Sequence, residues 1–351
     1  MKNLILYTKA GGGHLSCANA LKQELENQGH QVELLDVFEN RGSQFMEQTY
    51  VILTNNLPWV WNFLVWASKP EWVRNILKLN FEITAGSGID AKIKSFSPDK
   101  VISTYYFGAE YVAQKHNLPT TVFVSDLVSP HQIWFQKNTK AKYLVCTQQA
   151  RQNAQKYGAK NVVNTGLIFN KKFEKPMTPS EIAEFKRANN LKENMILAIG
   201  GGSSFPKAKE FLKAFLESDS KSQLIMICGK DQSLKIKLEI LAKNNPRVKI
   251  LGFSSEVYEY MNCSDLIVAK GGPAVVFEAI ALKKPLFILH YIWEQELGNV
   301  DFVVENKLGL YLPEVYDLLQ KIREFELRKL SFETMQIQNH LKEIISEILK
   351  A

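Results

Sequence analysis

Apolar residues in this chain fall into short runs, separated by amphipathic stretches and glycine turns, which is the pattern of strands alternating with helices. Leu4 to Tyr7 predicts a strand, Ala10 to His14 a turn, and Leu15 to Gln28 a helix closed by Gly29, before Val32 to Asp36 returns as a strand. That is a βαβ unit, from which right-handed parallel sheets are built. Val101 to Ser103 and Thr121 to Val124 predict strands around a helix from Ala109 to Lys115, and Tyr143 to Cys146 and Val162-Val163 extend the same sheet. Asn170 to Asn194 is charged and contains prolines, and reads as a linker with the first helix of a second domain. A second series follows: Met195 to Ile199, then Gly200-Gly201-Gly202, Leu224 to Cys228, Val248 to Leu251 and Leu266 to Ala269. After Gly271-Gly272-Pro273 come a helix from about Ala274 to Leu282 and a strand from Pro285 to His290. Ser331 to Lys350 reads as a closing amphipathic helix. The expectation is an α/β chain of two doubly wound, Rossmann-like domains, residues 1–169 and 170–330.

Composition agrees with a globular protein of more than one core: 351 residues, 46% apolar and 23% charged. The net charge of +7 favours anionic partners. No Lys/Arg block is dense enough to single out nucleic acid. Cys17, Cys146, Cys228 and Cys263 are scattered, without CxxC or metal-type spacing, which suits a reducing compartment and plain thiols. The start of the chain reads as a first strand rather than a signal peptide. No segment offers the roughly 18–20 apolar residues of a membrane span; Val51 to Ala67 comes nearest, interrupted by Asn55, Asn56, Pro58 and Asn62. The expected location is cytoplasmic, with peripheral membrane contact. Leu57 to Trp72 holds four tryptophans, Trp59, Trp61, Trp66 and Trp72, with Lys69, Arg74 and Lys78 close by. Such a segment suits the headgroup zone of an anionic bilayer, and equally a buried helical hairpin over a sheet.

Two loops carry candidate chemistry. A glycine turn between strand and helix aims backbone N–H groups at an anion such as a diphosphate, and Pro273 suits the first helical turn. Glu278, within about two turns of that helix start, is placed to meet a ribose hydroxyl. Gln295, Glu296 and Asn299 follow the next strand, at the edge where open α/β sheets bind ligands. Together these read as half of a nucleotide-sugar site. In the first half, Gly11-Gly12-Gly13 lead to His14, a residue that can accept a proton near neutral pH, though a histidine after glycines also serves as a plain cap. Asp126 ends a strand, where it can orient His14, raise its pKa, act as the base itself, or merely cap the following turn. His131 and Trp134 follow in DLVSPHQIWF.

The string resembles the monogalactosyldiacylglycerol synthase and processive diacylglycerol glucosyltransferase family, inverting GT-B glycosyltransferases of family 28 related more distantly to MurG. The matching pieces are Cys228-Gly229, Gly252-Phe253, Lys270-Gly271-Gly272-Pro273, Glu278-Ala279, Pro285, Gln295-Glu296-x-Gly298-Asn299 and Glu305-Asn306-x-x-Gly309. The resemblance implies two domains facing across a cleft, with a terminal helix (331–351) crossing back to the first. It implies a UDP-galactose or UDP-glucose donor, a diacylglycerol-type acceptor, an anionic membrane surface, and neither metal nor cofactor. His14, in a loop with Gly12 and Gly13, becomes the proposed base, with Asp126, His131 and Trp134 at the family's spacing beside the acceptor. Gly200, Gly201, Gly202, Ser203, Gly271, Gly272, Pro273, Ala274 and Val275 would surround the phosphates, Phe253 the uracil and Glu278 the ribose. Gln295, Glu296 and Asn299 would bind the sugar, and Trp59, Trp61 and Trp66 the membrane. The chain departs from the family at Thr104-Tyr105-Tyr106, where relatives carry a histidine, at Gly166 to Asn170, and at Ser203-Ser204-Phe205. A MurG-like GlcNAc transferase acting on a polyprenyl-linked acceptor and a catalytically silent nucleotide-sugar-binding protein are the rival readings.

Overall fold

The structure is a computed structural model that describes residues 1–9, 13–39, 49, 52–54, 57–135, 139–200 and 205–350. Of the expected site residues, Gly12, Gly201, Gly202 and Ser203 lie outside the described residues. The chain divides into two compact units. The first comprises Met1–Phe169, Trp293–Gly298 and Gln338–Ala351, and the second Asn170–Ile292 and Asn299–Ile337.

The first unit runs β1 (Lys2–Tyr7), α1 (Gly13–Asn27), β2 (Gln31–Asp36), α2 (Pro58–Ala67), α3 (Glu71–Phe96), β3 (Lys100–Ser103), α4 (Ala109–Lys115), β4 (Thr120–Val124), β5 (Lys142–Val145), α5 (Gln148–Lys156) and β6 (Val162–Asn164). All six strands are parallel, in the order β2-β1-β3-β4-β5-β6. Helices cover both faces, so β3 and β4 are buried at every position, and their central residues, Val101-Ile102 and Val122 to Val124, are apolar.

The second unit runs α6 (Pro179–Ala188), β7 (Met195–Ile199), α7 (Ala208–Glu217), β8 (Gln223–Ile227), α8 (Gln232–Ala242), β9 (Val248–Leu251), α9 (Val257–Cys263), β10 (Leu266–Lys270), α10 (Pro273–Ala281), β11 (Leu286–His290), α11 (Leu297–Glu305), β12 (Gly309–Tyr311) and α12 (Val315–Glu326). Its six strands are also parallel, ordered β12-β11-β10-β7-β8-β9. In each sheet the chain reverses its direction of growth once, between β1 and β3 and between β7 and β10. Open α/β sheets bind ligands at that switch point, outside the strand C-termini.

The closing helix is shorter than the sequence pattern suggests. Only Leu341–Leu349 is helical (α13), with Leu341, Ile344, Ile345 and Ile348 forming its buried stripe. The preceding residues form no helix, and several of their donors bond elsewhere: Glu333 N–H to the Lys307 carbonyl, Asn339 Nδ2 to the Phe169 carbonyl and His340 N–H to the Leu167 carbonyl. Residues up to Ile337 accordingly group with the second unit, and only those from Gln338 group with the first. Lysines secure the carbonyl end of α13, as favours a helix C-terminus. Lys100 Nζ donates to the carbonyls of Ile348 (3.1 Å) and Leu349 (2.5 Å), and Lys142 Nζ donates to Glu347 O (3.0 Å).

The tryptophan-rich segment is not a buried hairpin. On α2, Trp59, Phe63 and Trp66 share one exposed face, and on α3 Trp72, Ile76, Leu79 and Ile83 share another. Trp59 is 70% and Trp66 57% accessible. Trp61 is half-buried and off that face. Among the described residues, no helix is long and apolar enough to cross a membrane.

Candidate active site

His14 is the second residue of α1, at the switch point of the first sheet. Its Nδ1 lies 2.5 Å from the Thr104 carbonyl, beyond the end of β3, and Thr104 Oγ1 donates to the His14 carbonyl at 2.9 Å. A carbonyl only accepts, so Nδ1 carries the proton and Nε2 of the neutral ring holds the free lone pair. The ring packs edge-on against Tyr105 (centroids 5.4 Å apart) and tilted against Trp134 (5.8 Å). Burial among these groups lowers the His14 pKa to about 4, opposed by the Thr104 carbonyl. The ring nitrogen available near neutral pH is therefore an acceptor.

Asp126 follows β4. Its Oδ2 accepts from Trp134 Nε1 at 2.8 Å. Burial raises its pKa to about 7, against the indole and the His131 N–H, with the Glu296 carboxylate adding slightly to the rise. The expectation that Asp126 orients His14 or raises its pKa is corrected here: the Nδ1 partner is Thr104, and the His14 pKa moves down. Trp134 instead joins the two, bonding Asp126 through its indole N–H and packing on His14 with its ring.

His131 is buried, and its Nδ1 accepts from the Ile133 N–H at 3.2 Å, capping the short 3-10 turn Gln132–Trp134. Its other nitrogen faces Glu294 at 3.7 Å, and burial lowers its pKa to about 4. It thus holds the turn that places Trp134. The spacing Asp126, His131, Trp134 is one local device, in which the cap sets the indole that holds the acid.

In the second unit, β7 ends at Ile199 and leads into buried Gly200, while β10 leads through Gly271 and Gly272 into α10. The Gly271 N–H donates to the His290 carbonyl (2.9 Å) and the Gly272 N–H to the Lys270 carbonyl (2.8 Å). Pro273 has no N–H. The donors left to an anion are those of Ala274 and Val275, in the first turn of a helix that no side chain caps. The expectation that the Gly272 N–H donates to the phosphates is corrected accordingly. A Cβ at Gly271 would meet Val300 Cγ2 at 3.1 Å and Tyr291 Cβ at 3.2 Å, so the turn needs a glycine for close packing.

Asn299, expected at a sugar, is buried and donates from Nδ2 to the Gly271 carbonyl at 2.8 Å. It braces the turn from α11. Glu278, on the second turn of α10, has its pKa raised to about 8 by burial alone, with no donor among the described residues to offset it. Phe253, beyond β9, is 75% exposed and so is not a core aromatic. Gln295 and Glu296 lie in the Trp293–Gly298 segment that groups with the first unit, where Glu296 is buried.

Sequence reasoning missed Thr104 as the partner of His14, because a backbone carbonyl carries no side-chain signal. It also missed Glu294, which pairs with Lys69.

Two parallel, doubly wound sheets, each with its loops at the switch point, define a GT-B chain. The solved MurG of Acinetobacter baumannii has the same fold, at a TM-score of 0.62 with 16% identity over 100% of both chains. A family model described as monogalactosyldiacylglycerol (MGDG) synthase matches residues 14–168, and one described as glycosyltransferase family 28 C-terminal domain matches residues 195–348. The chain belongs to this family of MGDG synthases and diacylglycerol glucosyltransferases. It is 28% identical over 338 residues to monogalactosyldiacylglycerol synthase 1, chloroplastic, of Arabidopsis thaliana, covering 88% of this chain and 62% of the plant protein. It therefore spans less than two thirds of that relative's length. To the processive diacylglycerol beta-glucosyltransferase of Bacillus pumilus it is 25% identical over 364 residues, covering 99% of this chain and 94% of the relative.

Proposed function

We propose that this chain is an inverting hexosyltransferase that moves galactose or glucose from a UDP-sugar to diacylglycerol or a similar lipid alcohol at a membrane surface. The observation that carries the reading is His14, whose Nδ1–H is held by a carbonyl so that Nε2 is left to take a proton. The acceptor O–H gives its proton to Nε2 as its oxygen bonds to the anomeric carbon, and the bond from that carbon to the UDP oxygen breaks. The Ala274 and Val275 N–H groups at the start of α10 meet the charge growing on the leaving diphosphate. Glu278 accepts from the ribose hydroxyls, which supply the donors it lacks, and exposed Phe253 stacks on the base. Gln295 and Glu296 bind the sugar hydroxyls. The reading includes no resident metal or cofactor.

The exposed faces of α2 and α3 are assigned to an anionic bilayer, on its cytoplasmic side. Tryptophan favours the headgroup zone, and each such side chain removed from water contributes about 1.5–3 kcal/mol. The names of the plant and Bacillus relatives support galactose, glucose and diacylglycerol without choosing between the sugars.

The test is transfer from radiolabelled UDP-galactose, UDP-glucose and UDP-GlcNAc into liposomes containing diacylglycerol, in EDTA, with products separated by thin-layer chromatography. A labelled glycolipid from UDP-galactose or UDP-glucose is expected. Label passing only from UDP-GlcNAc to a polyprenyl-linked acceptor, or no product while UDP still binds, would overturn the reading. In the same liposomes, Trp59→Ser with Trp66→Ser is expected to weaken co-sedimentation at least tenfold.

A further inference from the structure

The segment Trp293–Gly298, which follows β11 and groups with the first unit, is bent sharply at one residue. The Gln295 N–H donates to the Trp293 carbonyl at 2.8 Å, closing a three-residue turn centred on Glu294, whose φ is +60°. A turn of this kind with positive φ at its centre is the rare, strained form, and a left-handed backbone is unfavourable for any residue with a Cβ. Other left-handed non-glycine residues, such as Ser97, Lys243 and Arg328, stand where a helix ends, a common place for that conformation. Glu294 ends no helix. Strain of this sort persists only where surrounding contacts over-determine it.

Those contacts lie within the first unit. Glu294 Oε1 accepts from Lys69 Nζ at 2.5 Å, and Oε2 faces His131 Nε2 at 3.7 Å. Because His131 Nδ1 accepts from the Ile133 N–H, the proton of the neutral ring sits on Nε2 and turns its positive end to the carboxylate. The Lys69 ammonium also lies over the Trp293 ring, 5.6 Å from its centroid, so it holds the turn through two neighbouring side chains. Lys69 is itself held. It sits between α2 and α3, and Arg74 Nη1 donates both to its carbonyl and to Gln132 Oε1, the latter at 3.1 Å. At the far end of the segment Gly298 packs on Val128 and Ser129, where a Cβ would meet the Ser129 nitrogen at 2.8 Å. The segment is clamped at both ends, with Gln295 and Glu296 between the clamps.

We propose that Glu294 is a positioning residue: its pairing with Lys69 holds the strained turn, and the turn fixes the course of the backbone that carries Gln295 and Glu296. The proposal rests on the transferase reading above, which assigns those two residues to the sugar, and adds to it the group that aims them. It also joins two parts of that reading. Lys69 stands between the helices whose outer faces are assigned to the bilayer, so one ion pair links those helices to the sugar contacts. The role depends on the backbone as well as the charge. Alanine at 294 loses the pair and keeps the strain, whereas glycine loses the pair and the strain together.

Two readouts test this, the first without donor or turnover. Amide hydrogen exchange is followed by mass spectrometry in the ligand-free full chain, on a peptide spanning residues 293–298 and a control peptide from β8. In Lys69→Met the 293–298 amides are expected to exchange about tenfold faster than in wild type, with the control unchanged. Unchanged exchange at 293–298 would overturn the proposal, as would equal acceleration of both peptides, which reports general loosening. The second readout compares dissociation constants for UDP and for UDP-galactose and UDP-glucose by calorimetry. Lys69→Met and Glu294→Ala are each expected to weaken the preferred UDP-hexose about tenfold while leaving UDP within about twofold. Glu294→Gly is expected to cost less than about threefold, and Lys69→Met to add nothing in that background. Equal losses in Glu294→Ala and Glu294→Gly would overturn the proposal, because a plain ion pair is lost alike in both. If wild type binds neither UDP nor a UDP-hexose, the transferase reading falls, and the exchange result still decides whether Lys69 and Glu294 hold the turn.

Discussion

At the switch point of the first unit, a histidine, a carbonyl, two tyrosines, an indole and a carboxyl are bonded or packed against one another. At that of the second, among the described residues, no side chain caps the start of α10 and none donates to the Glu278 carboxyl, while Asn299 bonds the Gly271 carbonyl and holds the turn itself. The topology of the two sheets is closely alike, so the difference lies in what the loops carry. The first switch point is preorganised to accept a proton at one nitrogen. The second is preorganised as a frame whose donors and acceptor await a ligand. Under the proposed function, proton transfer would fall to the first half and donor binding to the second, and that division can be tested residue by residue.

The largest effect should come from His14→Ala. Loss of a general base typically lowers turnover by about 10²–10⁴-fold, and on the proposed reading, which assigns UDP binding to second-unit residues, UDP affinity should be unchanged. The pH profile sharpens the same point. With His14 as base, at a pKa of about 4, kcat/KM should be flat between pH 6 and 8, whereas a rise through about 7 would transfer the role to Asp126.

Next is Glu278→Ala, expected to weaken UDP binding by about ten- to a hundredfold, as for a charged hydrogen bond of about 1.5–3 kcal/mol. This is measured by calorimetry, with the His14 pKa unmoved in NMR titration. A smaller effect is expected of Asn299→Ala, about 1–3 kcal/mol of stability in urea melts, from leaving the buried Gly271 carbonyl unpaired. A separate effect is the pH dependence of the ligand-free chain's stability. Glu278 keeps its proton in the folded state up to about pH 8, while the unfolded chain releases it near 4.5, so stability falls as pH rises between those values. Glu278→Gln should remove that slope, and an unchanged slope would mean the carboxyl is well solvated.

The strands were legible where parallel strands buried on both faces read as apolar runs, as in β7, which begins and ends where the pattern places it. The long helix α3 was not. Its clearest apolar stripe, Trp72 to Ile83, points outward, while small residues such as Ala85 and Gly86 face the core, so periodicity misreports which side is buried. The residues before α13 failed for a different reason: amphipathic spacing continues through them, but the Glu333 and His340 N–H groups and the Asn339 side chain bond to other segments. At the site, residue types were readable and their bonds were not. Nothing local shows that Asn299 reaches back 28 positions to Gly271, or that Thr104, 90 positions from His14, supplies the carbonyl that fixes its tautomer. Phe253 was ambiguous as an aromatic after a strand, and its exposure rules out a core position.

The most direct test of the split between the units is to measure UDP affinity and hexose transfer together in His14→Ala. The account predicts a UDP dissociation constant within about twofold of wild type and transfer reduced by about a thousandfold. Transfer at the wild-type rate, or UDP affinity lost along with it, would contradict it.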